Sequence, residues 1–177
     1  MKKLKTDELN RPTLTEFKNQ EKLSIIIVLD NIRSLNNVGS IFRTADAFSI
    51  QSIYLCGITG TPPHKEIHKS ALGSTESVHW HYYEKTTDAI QSLKDNGYTV
   101  YALEQTDAGM SLENFKTPAL PLAFVFGNEV EGVADEVLQL VDGAIEIPQF
   151  GTKHSFNVSV SAGILLWDVV QKIKKSR

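Results

Sequence analysis

Short apolar runs alternate with helical patterns along this chain, and this alternation decides the fold class. Leu23 to Leu29 is a largely apolar run of strand length, and Val38 to Phe48 then carries apolar side chains at helical spacing. The order recurs until a last amphipathic helix from Val158 to Ile173. Further strands are predicted at 52–55, 78–82, 98–103, 120–126 and 144–147, and further helices at 65–72, 86–96 and 135–141. The sequence therefore predicts an α/β fold with a mostly parallel sheet covered by helices on both faces.

Size and composition favour one domain. A chain of 177 residues can bury a substantial single core, and residues 1–22 are the only candidate appendage to the domain at 23–177. The single cysteine, Cys56, excludes an internal disulfide, and the polar N-terminus has no apolar targeting core. No apolar run approaches the roughly 20 residues that a membrane helix needs. We therefore expect a cytoplasmic protein without a membrane partner.

The charge balance leaves the choice of partner open. A net charge of −3 with a pI near 5.9 does not indicate nucleic-acid binding, as a strongly basic chain would. Both termini are rich in lysine, so a local basic patch remains an alternative to ordinary solvated ends.

A polar loop joins the first predicted strand to the first predicted helix. Asn37 is predicted to cap this helix, and Gly39 allows a close approach of backbone or ligand. Arg43 lies among apolar helix positions. It is either a surface residue paired with Asp46 or Asp30, or a guanidinium aimed at phosphate or ribose at the ligand-binding edge of the sheet.

Two more polar segments follow predicted strands. Gly127 and Glu129 come directly after the strand at 120–126, and form either an ordinary turn or a ligand loop with an anchoring carboxylate. Ser155 and Asn157 precede the last helix, where they either cap it or offer polar groups to a ligand. Because all three polar segments follow parallel strands, we expect them to gather at one edge of the sheet, where open α/β sheets bind ligands.

Other candidate residues give weaker evidence for a functional site. His64 and His68 share a helix face, but no third metal ligand is evident, so we predict no metal site. Cys56 lacks a recognisable histidine partner for nucleophilic catalysis. The chain has neither a glycine-rich dinucleotide fingerprint nor a phosphate-binding loop, which disfavours hydride transfer and nucleotide hydrolysis.

In order and spacing, these three segments resemble the motifs of the SpoU (TrmH-like) family of RNA 2'-O-ribose methyltransferases, within the SPOUT superfamily. The matching segments are 36–45, 126–133 and 147–163, and the resemblance covers roughly residues 23–173. It implies a C-terminal segment threaded as a deep trefoil knot, an exception to the rule that protein chains are unknotted. It also implies a homodimer whose partner chain covers the last helix.

The same resemblance implies a cofactor and an RNA substrate. By motif match, S-adenosylmethionine would contact Leu103, Gly127, Ile147, Ser155 and Phe156. The catalytic group would comprise Arg43, Asn37, Glu129, Ser155 and Asn157. Phe156 stands where the family usually has leucine, and we expect the larger ring to press on the cofactor base or shift the loop.

The resemblance also assigns a role to each catalytic residue. Arg43 would position the ribose 2'-hydroxyl, with Asn37 orienting Arg43 or the substrate and Glu129 bracing the arginine electrostatically. Ser155 and Asn157 would complete the pocket.

The substrate is left with alternatives. Transfer RNA is favoured, with ribosomal RNA as the alternative, and Lys65, Lys69 and Lys153 are either phosphate contacts or solvated surface lysines. Methylation of a base nitrogen, a catalytically silent RNA-binding module and a binder of S-adenosylmethionine alone are the rival functions.

Overall fold

A computed structural model describes residues 1–176, and its centre is a seven-stranded sheet in which every paired strand is parallel. The strands are β1 Leu23–Asp30, β2 Ile50–Cys56, β3 His79–Tyr83, β4 Thr99–Leu103, β5 Met110–Ser111, β6 Leu122–Phe126 and β7 Gly143–Glu146. Their order across the sheet is β3-β2-β1-β6-β4-β7-β5. The predicted parallel α/β fold is confirmed, and the knot stays a prediction.

Helices cover both faces of this sheet. They are α1 Leu14–Asn19, α2 Leu35–Ala47, α3 Lys65–Ala71, α4 Ser74–Ser77, α5 Thr86–Asp95, α6 Asp135–Leu138 and α7 Val158–Ser176. One buried apolar cluster joins the sheet to α2, α3 and α7, and a second joins its other face to α5 and α6. Strands β1 and β6 are almost wholly buried because they lie at the centre of the sheet with helices on both sides.

The start of α2 and the end of α6 differ from their predicted positions. Helix α2 begins at Leu35 and not at Val38, because the Ser34 hydroxyl, rather than the Asn37 side chain, caps it by accepting the Asn37 N–H at 3.3 Å. Helix α6 ends at Leu138, three residues before its predicted end at Val141. The shift in α2 matters, because it moves Asn37 into the first turn of the helix with its side-chain amide free to bind elsewhere.

The N-terminal extension is attached to the domain. It contains a 3-10 helix, Thr6–Leu9, and α1, whose Phe17 is buried. Gln20 donates to the Ser49 hydroxyl just after α2, at 3.0 Å. The division into an N-terminal extension at residues 1–22 and a domain at residues 23–177 stays a prediction.

The parallel sheet brings its functional segments to one edge. The carboxyl ends of β1, β6 and β7 lead into the three polar segments that the sequence analysis identified. Over residues 1–176, no helix has the length and apolar character needed to cross a membrane.

Candidate functional site

A cavity of about 550 Å³ lies between the carboxyl ends of β4, β6 and β7 and the start of α7. All five predicted cofactor-binding residues line it: Leu103, Gly127, Ile147, Ser155 and Phe156. Of the predicted catalytic residues, Glu129, Ser155 and Asn157 line it as well. Residues far apart in sequence are thus brought into one pocket at the edge where parallel sheets bind ligands.

A chain of side-chain hydrogen bonds runs along the rim of this cavity. The Asn157 amide group donates to Asn37 Oδ1 at 3.1 Å, and Asn37 Nδ2 donates to Glu129 Oε1 at 3.0 Å. Asn157 Oδ1 in turn accepts the N–H and the hydroxyl of Ser159, at 2.9 and 2.7 Å. Each donor and acceptor has a defined direction, so the Asn157 amide group is fixed toward Asn37 and the Asn37 amide group toward the Glu129 carboxylate.

Glu129 connects the loop after β6 to the start of α2. Besides Asn37, its carboxylate accepts the backbone N–H groups of Arg33 and Ser34, at 3.1 and 3.2 Å. Partial burial raises the pKa of this carboxyl, but the hydrogen bonds, led by that from Arg33, outweigh it and lower the pKa. Glu129 is therefore an ionised acceptor at neutral pH.

Glu129 does not take up the predicted role of bracing Arg43. Within the described part of the chain, the guanidinium of Arg43 is exposed and has no ion-pair or hydrogen-bond partner. Arg43 follows Asn37 by six residues, which places it about 9 Å further along the helix and on a different side. The alternative ion pairs are absent too, since Asp30 binds Thr86 and Asp46 binds Ser77.

We expect Glu129→Gln to lower about tenfold the rate of the methyl transfer that the motifs imply. The neutral amide of glutamine loses the charge-assisted hydrogen bonds to the backbone at the start of α2. The lowered pKa adds stability that is present above the ordinary carboxyl pKa of 4.5 and is lost as pH falls through the folded-state value. Acid unfolding of the wild type should therefore be steeper below about pH 4.5 than that of Glu129→Gln. Denaturant titrations across this range measure it, with Glu136→Gln, an exposed carboxylate on α6, as the control. Equal acid sensitivity of Glu129→Gln and wild type would contradict this role.

The loop after β6 depends on residues that the sequence analysis did not identify. Asn128 is buried, and its Oδ1 accepts the N–H groups of Val130 and Glu131 while its Nδ2 donates to Asn31 O. Glu104, at the end of β4, accepts the Val133 N–H at 2.9 Å. Asn128 could have been suspected because it is next to Gly127 and Glu129 in the sequence. No sequence feature indicated a role for Glu104.

Gly127 is needed for the shape of this loop. A Cβ atom there would lie 2.1 Å from the backbone of Gly132 and Val133. Glycine is needed here because the returning backbone of the same loop passes against it.

The lining of the cavity suits S-adenosylmethionine. Its walls include the apolar side chains of Leu103 and Ile147, and its polar side includes four carboxylates, Glu104, Glu129, Glu131 and Glu146. No lysine or arginine stands among the lining residues that the structure describes. An acidic pocket with apolar walls complements a ligand that carries a cationic sulfur, an ammonium group and a purine. Phe156 lines the cavity and is 41% exposed.

Two weaker candidates have structural roles. Burial raises the pKa of the Cys56 thiol to about 12, which keeps it protonated and poorly nucleophilic. His64 Nδ1 accepts the Glu66 N–H at 3.2 Å and so caps α3. Neither residue lies in the cavity lining.

Together the parallel sheet, the pocket at its carboxyl edge and the polar rim define a ligand-binding α/β domain of the kind that the motifs implied. The model of the SpoU rRNA Methylase family matches residues 24–167. The chain belongs to this family, so the resemblance drawn from the three motifs is confirmed.

Known proteins similar to this chain include RNA-modifying enzymes. A tRNA (guanosine(18)-2'-O)-methyltransferase of Thermus thermophilus is 30% identical over 169 residues, which cover 96% of this chain and 86% of the relative. The crystal structure of the A. aeolicus TrmH/SpoU tRNA modifying enzyme has a TM-score of 0.82 and 25% identity, and covers 92% of this chain and 82% of its own.

A second solved structure is similar to this chain and carries the cofactor. The rRNA methyltransferase from Sinorhizobium meliloti with bound AdoMet, which is S-adenosylmethionine, matches at a TM-score of 0.79 and 27% identity. The match covers 93% of this chain and 62% of that structure.

Proposed function

We propose that this protein transfers the methyl group of S-adenosylmethionine to a ribose 2'-hydroxyl of RNA, with transfer RNA as the substrate. The observation that carries the proposal is the junction of two features: an acidic pocket sized for the cofactor, and a rim where Glu129 and Asn157 hold Asn37. A methyl acceptor at this rim would lie beside the pocket, where alignment supplies much of the rate enhancement.

When bound, S-adenosylmethionine supplies a methyl group on a cationic sulfur. The chain's own residues then have to bind and orient the attacking ribose. Asn37 and Asn157 present fixed amide groups, and the free guanidinium of Arg43 is suited to a bidentate contact with an RNA phosphate. A guanidinium stays protonated in proteins and is a poor base, so the proton of the 2'-hydroxyl is better accepted by the adjacent phosphate.

The choice of transfer RNA rests on the Thermus thermophilus relative, of which this chain covers 86% and whose name specifies guanosine 18 of tRNA. The Sinorhizobium meliloti structure is described as an rRNA methyltransferase, which keeps ribosomal RNA as the second candidate.

The test is methyl transfer from labelled S-adenosylmethionine to separate pools of transfer RNA and ribosomal RNA, followed by digestion to nucleosides. We expect a labelled 2'-O-methylnucleoside from the transfer RNA pool. Label in ribosomal RNA alone would make ribosomal RNA the substrate. Label on a base would show that the protein does not methylate ribose. No label in either pool, despite cofactor binding, would favour a binding module.

The homodimer belongs to the same proposal. An apolar groove of about 630 Å³ runs along α7 and the segment before it, and its exposed side chains include Phe150, Val160 and Trp167. Contiguous exposed apolar surface of this kind is typical of a protein interface. Ile147 lines both this groove and the cofactor cavity, so a second copy seated in the groove would adjoin the cavity. This continuity with the cavity favours a second copy of the chain as the occupant.

We place the activity in the cytoplasm. A lone, buried and unpaired Cys56 favours this location.

A further inference from the structure

Three exposed side chains on the β1, β2 and β3 side of the site are not explained by the cofactor or by the rim. Arg33 follows β1, Ile58 follows β2 and Tyr82 lies near the end of β3. Ile58 is 64% exposed and Tyr82 is 51% exposed. Since neighbouring strands lie about 4.8 Å apart, the three residues span about 10 Å along the carboxyl edge of the sheet.

Tyr82 and Ile58 form one patch. The Tyr82 hydroxyl donates to the Gly57 carbonyl at 3.0 Å, and this carbonyl belongs to the peptide bond that precedes Ile58. Because the polar end of the tyrosine is occupied by the protein, its exposed part is chiefly the aromatic ring. A single exposed apolar side chain needs no explanation, but a ring held beside an exposed isoleucine at a ligand-binding edge offers a flat apolar surface.

Hydrogen bonds connect this patch rigidly to the reaction site. Asn31 Oδ1 accepts the Ile58 N–H at 3.1 Å, and the Asn31 carbonyl accepts Asn128 Nδ2 at 2.9 Å. The Thr59 hydroxyl makes a second connection between the Ile58 loop and the end of β1, because it accepts the Ile32 N–H and donates to the Leu29 carbonyl. The loop that carries Ile58 is therefore fixed relative to the loop that carries Glu129.

Positive charge lies next to the patch. The backbone of Arg33 binds Glu129, but within the described residues its guanidinium is exposed and without a partner. Lys65 and Lys69 are exposed on α3, one turn apart and directly after the Ile58 loop. The helices α5 and α6, on the other face of the sheet, expose one lysine, Lys94, and more carboxylates: Asp88, Asp95, Asp135 and Glu136. A polyanion is thus favoured on the α2–α3 side.

We propose that Tyr82 and Ile58 form a stacking platform for an unpaired RNA base next to the methylated nucleotide, with Arg33 contacting the intervening phosphate. Sequence-specific RNA recognition commonly stacks splayed bases on aromatic side chains and binds the backbone with arginine and lysine. This inference rests on the proposed function and deepens it, since it assigns a substrate-positioning role to residues outside the three family motifs.

The experiment measures the affinity of the full-length protein for a labelled pool of transfer RNA, together with its methyl-transfer rate and its affinity for S-adenosylmethionine. Tyr82→Ala should weaken RNA binding about tenfold or more, the usual effect of removing one base-stacking ring. Tyr82→Phe keeps the ring and should bind RNA as the wild type does. Arg33→Gln should reduce by about one the slope of log affinity against log salt.

His79→Ala is the matched control, because His79 is an exposed ring on the same strand, but at the opposite end and on the opposite face. Thermal melting and S-adenosylmethionine affinity should be unchanged in all four variants, since these side chains lie outside the cofactor cavity.

The outcomes separate this inference from the proposed function. A wild-type protein that methylates RNA, combined with a Tyr82→Ala variant that binds RNA normally, overturns the platform alone. A wild type that methylates no RNA overturns both. A changed oligomeric state in Tyr82→Ala, with RNA affinity intact, would reassign the patch to a protein contact and would also overturn the platform.

Discussion

Replacing Arg43 with alanine should reduce methyl transfer at least 100-fold while leaving the fold and the affinity for S-adenosylmethionine intact. Removing one group that stabilises developing charge at a reacting centre typically costs about 100- to 1,000-fold in rate. Arg43 is exposed on α2, has no partner within the described residues and does not line the cofactor cavity. Its removal should therefore change the free energy of unfolding by less than about 0.5 kcal/mol.

Single-turnover methyl transfer to the transfer RNA pool measures the effect, with calorimetric titration of the cofactor alongside. Arg11→Ala is the matched control, since Arg11 is an exposed arginine in the N-terminal extension. Arg43→Lys should recover only part of the rate, because an ammonium group cannot make the bidentate contact. An Arg43→Ala enzyme with the wild-type rate would remove Arg43 from the mechanism.

The predictable part of the fold is the part with strong local patterning. Strand β1 could be predicted because both of its faces are buried, which makes nearly every residue apolar. Helix α7 could be predicted because one stripe, which includes Leu165 and Val169, faces the core. In both elements the positions of the apolar residues in the sequence match the buried positions in the structure.

Two of the missed elements, β5 and α4, are very short and depend on tertiary contacts. Strand β5 has two residues, Met110 and Ser111, and is defined only by its pairing with Ile145 and Glu146 of β7. Helix α4 has four residues and is held by hydrogen bonds such as that from the Ser74 hydroxyl to the Ala71 carbonyl, at 2.7 Å. Two to four residues are too few to show a period, so no reading of the sequence alone could have found them.

The functional site, like the fold, could be predicted only in part from the sequence. The sequence placed Asn37, Glu129 and Asn157 at one edge, because parallel strands share the direction of their carboxyl ends. It could not say which side chains bind one another. Glu129 was assigned to Arg43, but the observed start of α2 at Leu35 turns Asn37 and the free backbone amides toward Glu129. The assignment to Arg43 came from the family resemblance, whereas the carboxylate binds backbone N–H groups that are left unpaired just before the helix.

Replacing Trp167 with glutamate should disrupt the proposed homodimer and lower the methyl-transfer rate about 100-fold. Trp167 is 58% exposed in the apolar groove of α7, so in a symmetric dimer each interface would bury two unpaired carboxylates. The rate should fall because the partner would hold the segment from Pro148 to Phe156 against the cavity. Misplacing reacting groups by about 1 Å can cost about 100-fold.

Light scattering measures the oligomeric state and a methyl-transfer assay measures the rate, both at the same protein concentration. Trp167 also packs against Phe48, with ring centroids 6.2 Å apart, so the loss of this contact could itself lower stability. Val160→Glu supplies an independent variant in the same groove with no ring contact to lose, and Leu72→Glu introduces the same charge at an exposed apolar residue outside the groove. We expect both groove variants to be monomeric with weakened cofactor binding, and Leu72→Glu to remain dimeric. A groove variant that is monomeric yet fully active would show that each chain completes its own site, and a dimeric one would place the interface elsewhere.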